Sequence, residues 1–452
     1  MPSRKLLLVS ANKLDNPYPV YPLAIAYLTT HLKSKLDNFE IHTFDFILNN
    51  EVDFVNTLRQ LEPDYVGISI RNVDEGNRLA NTKFIDGYDK IVNLVKSNTN
   101  SKLIIGGSGF SIFPEIFFNR FEPDFAVYGE GEKSTLRLLL ALENNSDYEH
   151  IEGLVFRKNG KIIVNPKSSG FDGICLNFDS ELVEFYWKSS GMLNVQTKRG
   201  CPYNCIYCSY PLIEGKNVRT LDAEEIVNTL KELYHNKGID YVFFTDSVFN
   251  IRNDFNIRLA EKIIDSGINL NWGAFFSPHN LDFELLKILK KSGLSHVEFG
   301  TESLSDKQLE NYGKQFSVAD VIKVSDYCLE LRIFYAHYLI IGGYGETEET
   351  IEETIRNSVN IQRTVYFPYF GMRIYPGTKL HQLSIQDGII SEDDDLIIPK
   401  YYISNNFDVN KFKEKAIATG KRWLFPDEEL SDIMLKIRAK ERKGPLWEYL
   451  RI

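Results

Sequence analysis

The sequence has few cysteines, no long apolar run and no excess of positive charge. Its 452 residues include five cysteines, and 52 Lys and Arg stand against 62 Asp and Glu, a formal net charge of −10. An acidic surface has no general attraction for nucleic-acid phosphates or anionic lipid, so neither is an expected partner. No apolar run reaches the roughly 18 residues of a membrane-spanning helix, and the first residues do not resemble a signal peptide. We therefore expect a cytoplasmic protein without a membrane span.

Three of the five cysteines lie close together. Cys201, Cys205 and Cys208 form a C-x3-C-x2-C pattern, whereas Cys175 and Cys328 stand alone. In a reducing compartment such a group favours metal binding over a disulfide framework. Three thiolates from one short turn suit three corners of a 4Fe–4S cube and leave the fourth iron open. A zinc knuckle or unrelated buried cysteines are the alternatives, although structural zinc usually takes four protein ligands.

The N-terminal region, 1–145, alternates short apolar runs with amphipathic stretches. Strands joined by helices of this length are typical of a parallel, doubly wound, Rossmann-like α/β sheet. Ligands on such a sheet bind beyond the C-terminal ends of the strands, where the glycine-rich turns 106–109 and 129–132 fall. The predicted strands are 5–10, 40–44, 65–70, 103–106 and 125–128, and the predicted helices are 23–35, 52–61, 82–97 and a helix from 132.

A second alternating series occupies residues 191–385. Six β/α units of this kind predict a partial (β/α)6 barrel, in which functional groups are expected at the C-terminal ends of the strands. The predicted strands are 193–198, 241–246, 270–276, 295–301, 333–341 and 366–374.

Two segments flank the predicted barrel. Residues 146–190 are interpreted as a linker with small strands, because Asn159-Gly160 lies between apolar runs and is a hairpin signal. Residues 386–452 are predicted to form a small, mostly helical C-terminal region, with Pro426 at a helix start.

The loop KRGCPYNCIYC, residues 198–208, resembles the hallmark loop of the radical S-adenosylmethionine (SAM) superfamily, C-x3-C-x-aromatic-C, with Tyr207 as the aromatic residue. The resemblance extends over residues 190–380. It implies a 4Fe–4S cluster on the three cysteines, with SAM chelating the open iron. The protein then fixes geometry and excludes water, while the cofactors supply the radical chemistry.

Two further motifs resemble the SAM site of this superfamily. Gly300-Thr301-Glu302 is similar to the strand-four motif, in which an acidic residue reaches the SAM ribose. The segment 342–347, GGYGET, is similar to the motif near the adenine, with Tyr344 in place of the usual proline. For Glu346 an ordinary helix N-terminus is an equal alternative. The implied SAM contacts are Tyr207, Gly300, Glu302, Gly342 and Gly343.

Two charged residues are candidates for catalysis. Asp246 closes the second predicted barrel strand and Arg373 closes the sixth, so both are expected to point into the barrel mouth. Each has a structural alternative, because Asp246 could cap the following segment and Arg373 could form an ion pair.

The N-terminal region resembles the cobalamin-binding domain that precedes the radical SAM barrel in the B12-dependent branch of the superfamily. The matching segments are 18–23 (YPVYPL), 63–69 (PDYVGIS), 106–107 (GG) and 127–132 (VYGEGE). A flavodoxin-like domain with another nucleotide or no ligand is the alternative. No histidine lies in an Asp-x-His-x-x-Gly motif, so we expect base-off cobalamin without a histidine ligand. The implied cobalamin contacts are Ser69, Ile70, Arg71, Gly106, Gly107, Gly129, Glu130 and Gly131.

Arg71 follows the third strand, where the lower face of the corrin ring is expected. A guanidinium stays protonated and does not normally ligate a metal, so in this place it would disfavour a sixth ligand on cobalt. A salt bridge to Asp74 or Glu75, or a contact with a cobalamin amide, is the alternative.

The resemblance implies a methyltransferase. SAM would methylate cob(I)alamin, and methylcobalamin would pass the methyl group to an unactivated carbon or a phosphorus of a small molecule, natural product or peptide. Flavodoxin or ferredoxin is implied as the electron donor. The alternatives are a B12-dependent radical SAM cyclase or rearrangement enzyme without net methylation, and a sensor that holds cobalamin or a cluster without turnover.

Overall fold

The computed structural model describes residues 3–79, 84–168, 176, 178–405, 407–428, 436 and 440–450. The chain divides into two compact units: an N-terminal unit, Met1–Glu75 with Asn81–Phe185, and a C-terminal unit, Gly76–Ala80 with Tyr186–Ile452. Within the described residues no helix is both long and apolar enough to cross a membrane.

The N-terminal unit contains a seven-stranded sheet in the order β2-β1-β3-β4-β5-β6-β7. The first five strands pair in parallel, and β6 and β7 are antiparallel. The strands are β1 (Arg4–Ser10), β2 (Phe39–Asp45), β3 (Tyr65–Ser69), β4 (Lys102–Gly106), β5 (Phe125–Val127), β6 (Leu154–Lys158) and β7 (Lys161–Val164). The parallel part confirms the expected α/β class.

Helices with one apolar face cover this sheet. In α2 the Asn50 side chain accepts hydrogen bonds from the N–H groups of Val52 and Asp53, a capping box that fixes where the helix begins. The helices of the unit are α1 (Leu23–Lys33), α2 (Glu51–Leu61), α3 (Phe84–Asn98), α4 (Ser108–Ile112), α5 (Pro114–Phe121) and α6 (Gly131–Glu143). The short helices α4 and α5 were not predicted. A further helix, α7 (Ser180–Ser190), follows the hairpin.

The hairpin β6–β7 belongs to the N-terminal sheet, which corrects the interpretation of residues 146–190 as a linker. Strand β6 pairs with β5, and Phe156 is buried. Its ring lies 5.6 Å from that of Tyr148, which lies 5.1 Å from that of Phe125. The apolar face of the hairpin thus completes the core of the sheet instead of bridging two domains.

The C-terminal unit contains a second seven-stranded sheet, all parallel, in the order β18-β15-β14-β13-β12-β11-β8. Six of the seven strands of this sheet confirm the predicted partial barrel, and the seventh, β18, was not predicted. Its strands are β8 (Leu193–Val195), β11 (Tyr241–Phe244), β12 (Asn271–Phe276), β13 (Leu294–Glu302), β14 (Phe334–Ile341), β15 (Val365–Phe370) and β18 (Arg422–Trp423). Two short antiparallel pairs join β9 (Lys198–Arg199) to β10 (Arg219–Thr220) and β16 (Met372–Arg373) to β17 (Tyr401–Tyr402).

Helices follow the barrel strands. The helices are α8 (Tyr210–Ile213), α9 (Ala223–Lys231), α10 (Asn253–Asp265), α11 (Phe283–Lys291), α12 (Asp306–Asn311), α13 (Val318–Glu330), α14 (Glu348–Ser358), α15 (Lys379–Gln386) and α16 (Val409–Ala418), with a π-helical turn at Glu232–Asn236 and a 3₁₀ turn at Leu446–Leu450. We call Leu446–Leu450 the C-terminal turn. Pro426 was predicted to start a helix; it lies in a turn after β18, and residues 429–435, where that helix would continue, lie outside the described residues. The mostly helical C-terminal region therefore also supplies strands β17 and β18.

Candidate functional site

The three clustered cysteines lie on the loop between β9 and α8, and backbone hydrogen bonds fix the course of this loop. The N–H of Cys201 donates to the carbonyl of Gly215 at 3.1 Å, and that of Cys208 donates to the carbonyl of Cys205 at 3.2 Å. Gly200, just before the first cysteine, has a φ of 95°, which glycine adopts without strain. The loop thus presents three thiols from one ordered turn. Cys175 lies outside the described residues.

Two glycines let neighbouring backbone pack directly against this loop. A Cβ atom at Gly200 would lie 2.2 Å from the carbonyl oxygen of Asn217. A Cβ atom at Gly313 would lie 2.8 Å from the carbonyl oxygen of Asn204. Because backbone atoms cannot move aside cheaply, neither position accepts a larger residue.

A cavity of about 310 Å³ lies beside the loop, and all three thiol-bearing residues line it. Among the described residues, no three His, Cys, Asp or Glu side chains form a group that could hold a single metal ion. Each thiolate of a 4Fe–4S cube binds a different iron, so cluster ligands are spread more widely than those of one ion. Structural zinc usually takes four protein ligands, so three cysteines from one loop disfavour a zinc knuckle.

Cys201 is buried, and Cys205 and Cys208 are partly buried. Burial, followed by the neighbouring Cys205, raises the pKa of Cys208 to about 12, and burial also raises the pKa of Cys201. A thiol with a raised pKa stays protonated until a cation stabilises the thiolate. Iron supplies that positive charge, so the donor set suits a bound iron–sulfur cluster and disfavours three charged thiolates without one.

Glu302, at the end of β13, joins the cavity to the cysteine loop. The hydroxyl of Tyr207 donates to Glu302 Oε1 at 2.7 Å, and Lys314 Nζ lies 3.2 Å from the same oxygen. Lys314 also donates to the carbonyl of Gly300 at 3.2 Å. The left-handed φ of 64° at Glu302 is costly for a non-glycine residue, and such strain is found where function fixes a side chain.

Lys314 is the site residue that sequence reasoning missed. It lines the same cavity and its side chain is 8% exposed. Burial is the largest single effect and opposes its charge, but the charges of Glu302, Cys205 and Cys208 and the hydrogen bond to Glu302 together outweigh burial and raise the pKa of Lys314. A single lysine after a short helix carries no sequence signal, because most lysines are solvent-exposed.

Gly342 and Gly343 were predicted to contact SAM, but neither is among the residues that line the cavity. A Cβ atom at Gly342 would lie 2.4 Å from the ring of Phe407, and one at Gly343 would lie 2.3 Å from the hydroxyl of Tyr312. Both N–H groups donate to Glu346, whose pKa burial raises to about 8. These glycines therefore have a packing role in the turn after β14, in addition to any contact with SAM.

Glu346 does not cap the helix that follows it, as the alternative interpretation expected. The residue that caps α14 is Thr347, whose hydroxyl accepts from the N–H of Thr350. Glu346 precedes the cap and binds the turn instead of the helix.

Asp246, a candidate for catalysis, is fully buried and is absent from the cavity lining. Its carboxylate accepts hydrogen bonds from the N–H groups of Thr197 and Lys198, at 2.7 and 3.1 Å. The Lys198 ammonium lies 2.7 Å from the same carboxylate. These bonds connect the end of β11 to the start of the cysteine loop, so we correct its role to a structural one.

Arg373, the other catalytic candidate, is also buried and outside the cavity lining. Its guanidinium donates to the carbonyl groups of Ile374 and Leu396, and it lies 4.7 Å from the ring centroid of Tyr375. Because a guanidinium satisfies several carbonyl groups at once, Arg373 fixes the segment after β16 and does not face the cavity.

The predicted cobalamin contacts on β3 and β4 lie at the C-terminal edge of the N-terminal sheet. Ser69 is opposite Gly106 in the parallel register, and the N–H of Ile70 donates to the carbonyl of Gly106 at 2.8 Å. A Cβ atom at Gly107 would lie 2.4 Å from the carbonyl oxygen of Ile70. Gly107 thus has a packing role within the domain, in addition to any contact with a ligand.

The other predicted cobalamin contacts lie at the same edge. Arg71 is exposed. Gly129 has a φ of 89°, and a Cβ atom there would lie 3.3 Å from the side chain of Lys167. Glu130 occupies the N-cap position of α6, and Gly131 is its first residue. The N-terminus of a 13-residue helix offers N–H groups suited to a phosphate, such as that of a nucleotide tail.

Comparison with known proteins agrees with this geometry. Residues 195–357 match the radical SAM superfamily. An uncharacterized methyltransferase from Pyrococcus horikoshii is 26% identical, over 82% of this chain and 79% of that protein. The anaerobic magnesium-protoporphyrin IX monomethyl ester cyclase of Cereibacter sphaeroides is 25% identical, over 95% of this chain and 68% of that protein.

A solved structure of the radical SAM methyltransferase TsrM from Kitasatospora setae, with cobalamin and a 4Fe–4S cluster bound, superposes with a TM-score of 0.87. It is 20% identical, and the match covers 99% of this chain and 97% of that one. A second structure of TsrM contains its tryptophan substrate and a SAM analogue. The C-terminal unit of this chain therefore contains a radical SAM domain. Each of the two units has the fold of the corresponding part of TsrM.

Proposed function

We propose that this chain is a cobalamin-dependent radical SAM methyltransferase. It would move a methyl group from SAM, through cobalamin, to an unactivated carbon or a phosphorus of a small-molecule, natural-product or peptide substrate. The observation that carries the proposal is the shared cavity, where three cysteines from one loop and Glu302 lie together in a radical SAM domain. An N-terminal domain with the fold expected for cobalamin precedes it.

The residues for each cofactor follow from the site. Cys201, Cys205 and Cys208 would hold the cluster, and Glu302 with Lys314 would line the SAM site. Ser69, Ile70, Arg71, Gly106, Gly107, Gly129, Glu130 and Gly131 at the sheet edge are proposed for cobalamin. No histidine occurs in the loops that follow β1, β3, β4 or β5, which supports base-off binding. When bound, the cluster would supply an electron, SAM would supply the methyl group, and cobalamin would carry that methyl group to the substrate.

The chain's own residues would bind and orient the ligands and exclude water from the cavity. Lys314 lies 3.2 Å from Glu302 Oε1 and holds the carboxylate in place, where it would accept hydrogen bonds from bound hydroxyl groups. Phe275, Phe276 and Phe316 give the cavity an apolar wall that limits water. Arg71, if it lies below cobalt, would disfavour a sixth ligand there.

A reducing location belongs to the same proposal. An exposed corner of a cluster is sensitive to oxygen, which favours the cytoplasm, with flavodoxin or ferredoxin as electron donor. The net charge of −10 gives nucleic acid no general attraction.

A cyclase or rearrangement enzyme without net methylation is the second candidate, because a cyclase aligns with 95% of this chain. Products of SAM separate the two. Anaerobically reconstituted protein should be incubated with SAM, cobalamin and a reductant, and the products measured by chromatography and mass spectrometry. Formation of S-adenosylhomocysteine supports the methyltransferase, and formation of 5′-deoxyadenosine alone supports the cyclase class. If neither product forms, the result supports a sensor and contradicts the proposal.

A further inference from the structure

One face of β13 carries two buried polar side chains that are not among those lining the cavity. Alternate residues of a strand share a face, so His296, Glu298 and Gly300 point to the same side of the sheet. Gly300 lines the cavity. Glu298 and His296 lie deeper, at 4% and 0% exposure. A buried carboxylate needs compensating partners, and the mechanism above does not use this one.

Glu298 is bonded on both oxygens, once toward the cavity and once toward the C-terminal turn. The hydroxyl of Tyr338, on β14, donates to Oε2 at 3.0 Å. The indole N–H of Trp447, in the C-terminal turn, donates to Oε1 at 2.9 Å. Tyr338 itself lines the cavity with the cysteines, and its ring stacks on Phe367 with centroids 4.8 Å apart. The Glu298 carboxylate thus connects Tyr338, in the cavity wall, to Trp447, which is 109 positions further along the chain.

The other titratable groups around Glu298 come from β11, β13 and the C-terminal turn. His296 Nε2 lies 3.9 Å from Glu298 Oε1, and its Nδ1 lies 2.6 Å from the hydroxyl of Tyr241. Glu448 Oε1 lies 3.3 Å from that hydroxyl and 3.7 Å from His296 Nδ1. On β12, a Cβ atom at Gly273 would lie 1.8 Å from the His296 ring, so this strand leaves room for the imidazole.

We propose that Glu298 is a positioning residue for Tyr338, and that Trp447 of the C-terminal turn thereby controls how tightly the cavity binds SAM. An ionised Glu298 accepts both hydrogen bonds and holds the phenol of Tyr338 in one orientation against the cavity. The inference rests on the proposed function, since SAM is the cavity ligand that function requires. It adds the C-terminal turn to the site.

The arrangement has a pH signature. Burial raises the pKa of Glu298 to about 6, lowers that of His296 to about 3 and raises that of Tyr241 well above its usual value. Of these three, only Glu298 changes charge between about pH 5.5 and 7.5. Protonation of Glu298 turns one acceptor oxygen into a donor and breaks one of the two hydrogen bonds. With a pKa of about 6, about a quarter of the protein has an ionised Glu298 at pH 5.5, and this is the fraction that binds SAM tightly. The Kd of SAM should therefore rise about fourfold as the pH falls from 7.5 to 5.5.

The test is calorimetric titration of SAM into the full-length, cluster-reconstituted protein at both pH values. Glu298→Gln and Tyr338→Phe should each remove the pH dependence, whereas Glu448→Gln should keep it. Trp447→Phe should weaken binding at pH 7.5. Trp423→Phe is its matched control, because it also removes the indole hydrogen bond of a buried tryptophan, to Thr419 at 3.2 Å.

The outcomes separate the two proposals. Wild-type protein that binds no SAM would overturn the proposed function and this inference with it. SAM binding with no pH dependence, with a pH dependence that Glu298→Gln retains, or with Trp447→Phe equal to Trp423→Phe would overturn the inference alone. If Glu298→Gln does not fold, Trp447→Phe decides, because it leaves the carboxylate in place.

Discussion

Asp246 and Glu302 are carboxylates at the ends of barrel strands, and their partners give them different roles. Asp246 is enclosed by the Lys198 ammonium and backbone N–H groups. Glu302 faces a cavity and is bonded to Tyr207 and Lys314. The sequence places Glu302 correctly at the end of a strand and Asp246 two residues beyond one, but it gives no partner for either, because most of those partners come from distant parts of the chain.

Replacing Asp246 tests its structural role. Asp246→Asn leaves the Lys198 ammonium without its counter-charge, and breaking a buried pair costs about 3–5 kcal/mol. We expect a large fall in the free energy of unfolding, measured by urea denaturation. Asp254→Asn, an exposed carboxylate, should change it little. A stable Asp246→Asn protein that had lost SAM turnover would instead make Asp246 catalytic.

The Lys314–Glu302 pair predicts strong coupling. Lys314→Met should weaken SAM binding about tenfold, because Glu302 then loses the ammonium group that lies 3.2 Å from its Oε1 and fixes the carboxylate. The variants Lys314→Met and Glu302→Gln, alone and combined, form a double-mutant cycle measured by SAM titration. We expect a coupling of about 1–3 kcal/mol. Independent, additive effects would show that the two side chains act separately.

At the level of elements, local sequence patterns predicted the long strands and helices, but they did not predict which distant strands pair with each other. Alternating apolar residues gave β13 and β14 within one residue of each end. The two-residue strand β18 has no periodicity, and it forms only because β15 lies beside it. The Asn-Gly turn indicated the hairpin β6–β7 but not the strand with which it pairs.

The hairpin gives a prediction at this scale. Phe156→Ala removes a ring from the core of the N-terminal sheet, and such a change costs about 3–5 kcal/mol. Hydrogen exchange of β4 and β5 should accelerate sharply. Val52→Ala, at a position 69% exposed on α2, serves as the control and should leave exchange unchanged. Unaltered exchange in Phe156→Ala would mean that the hairpin is independent of the sheet.

For the whole molecule, the sequence predicted the fold class and the order of the two α/β parts, and the structure confirms that class. The cysteine loop was predictable because its three thiols fall within eight residues. Lys314, Glu298 and Trp447 were not, because each acquires its role only when separate strands and the C-terminal turn meet inside one barrel.

The central claim is that three cysteines of one loop hold an iron–sulfur cluster, and iron and acid-labile sulfide measured after anaerobic reconstitution test it most directly. Wild-type protein should bind about four of each per chain. Cys328→Ala, which removes a buried cysteine elsewhere, should bind the same amount. Cys205→Ala should lose the cluster and its brown absorption. Wild-type iron and sulfide in Cys205→Ala, or none in the wild type, would contradict the account.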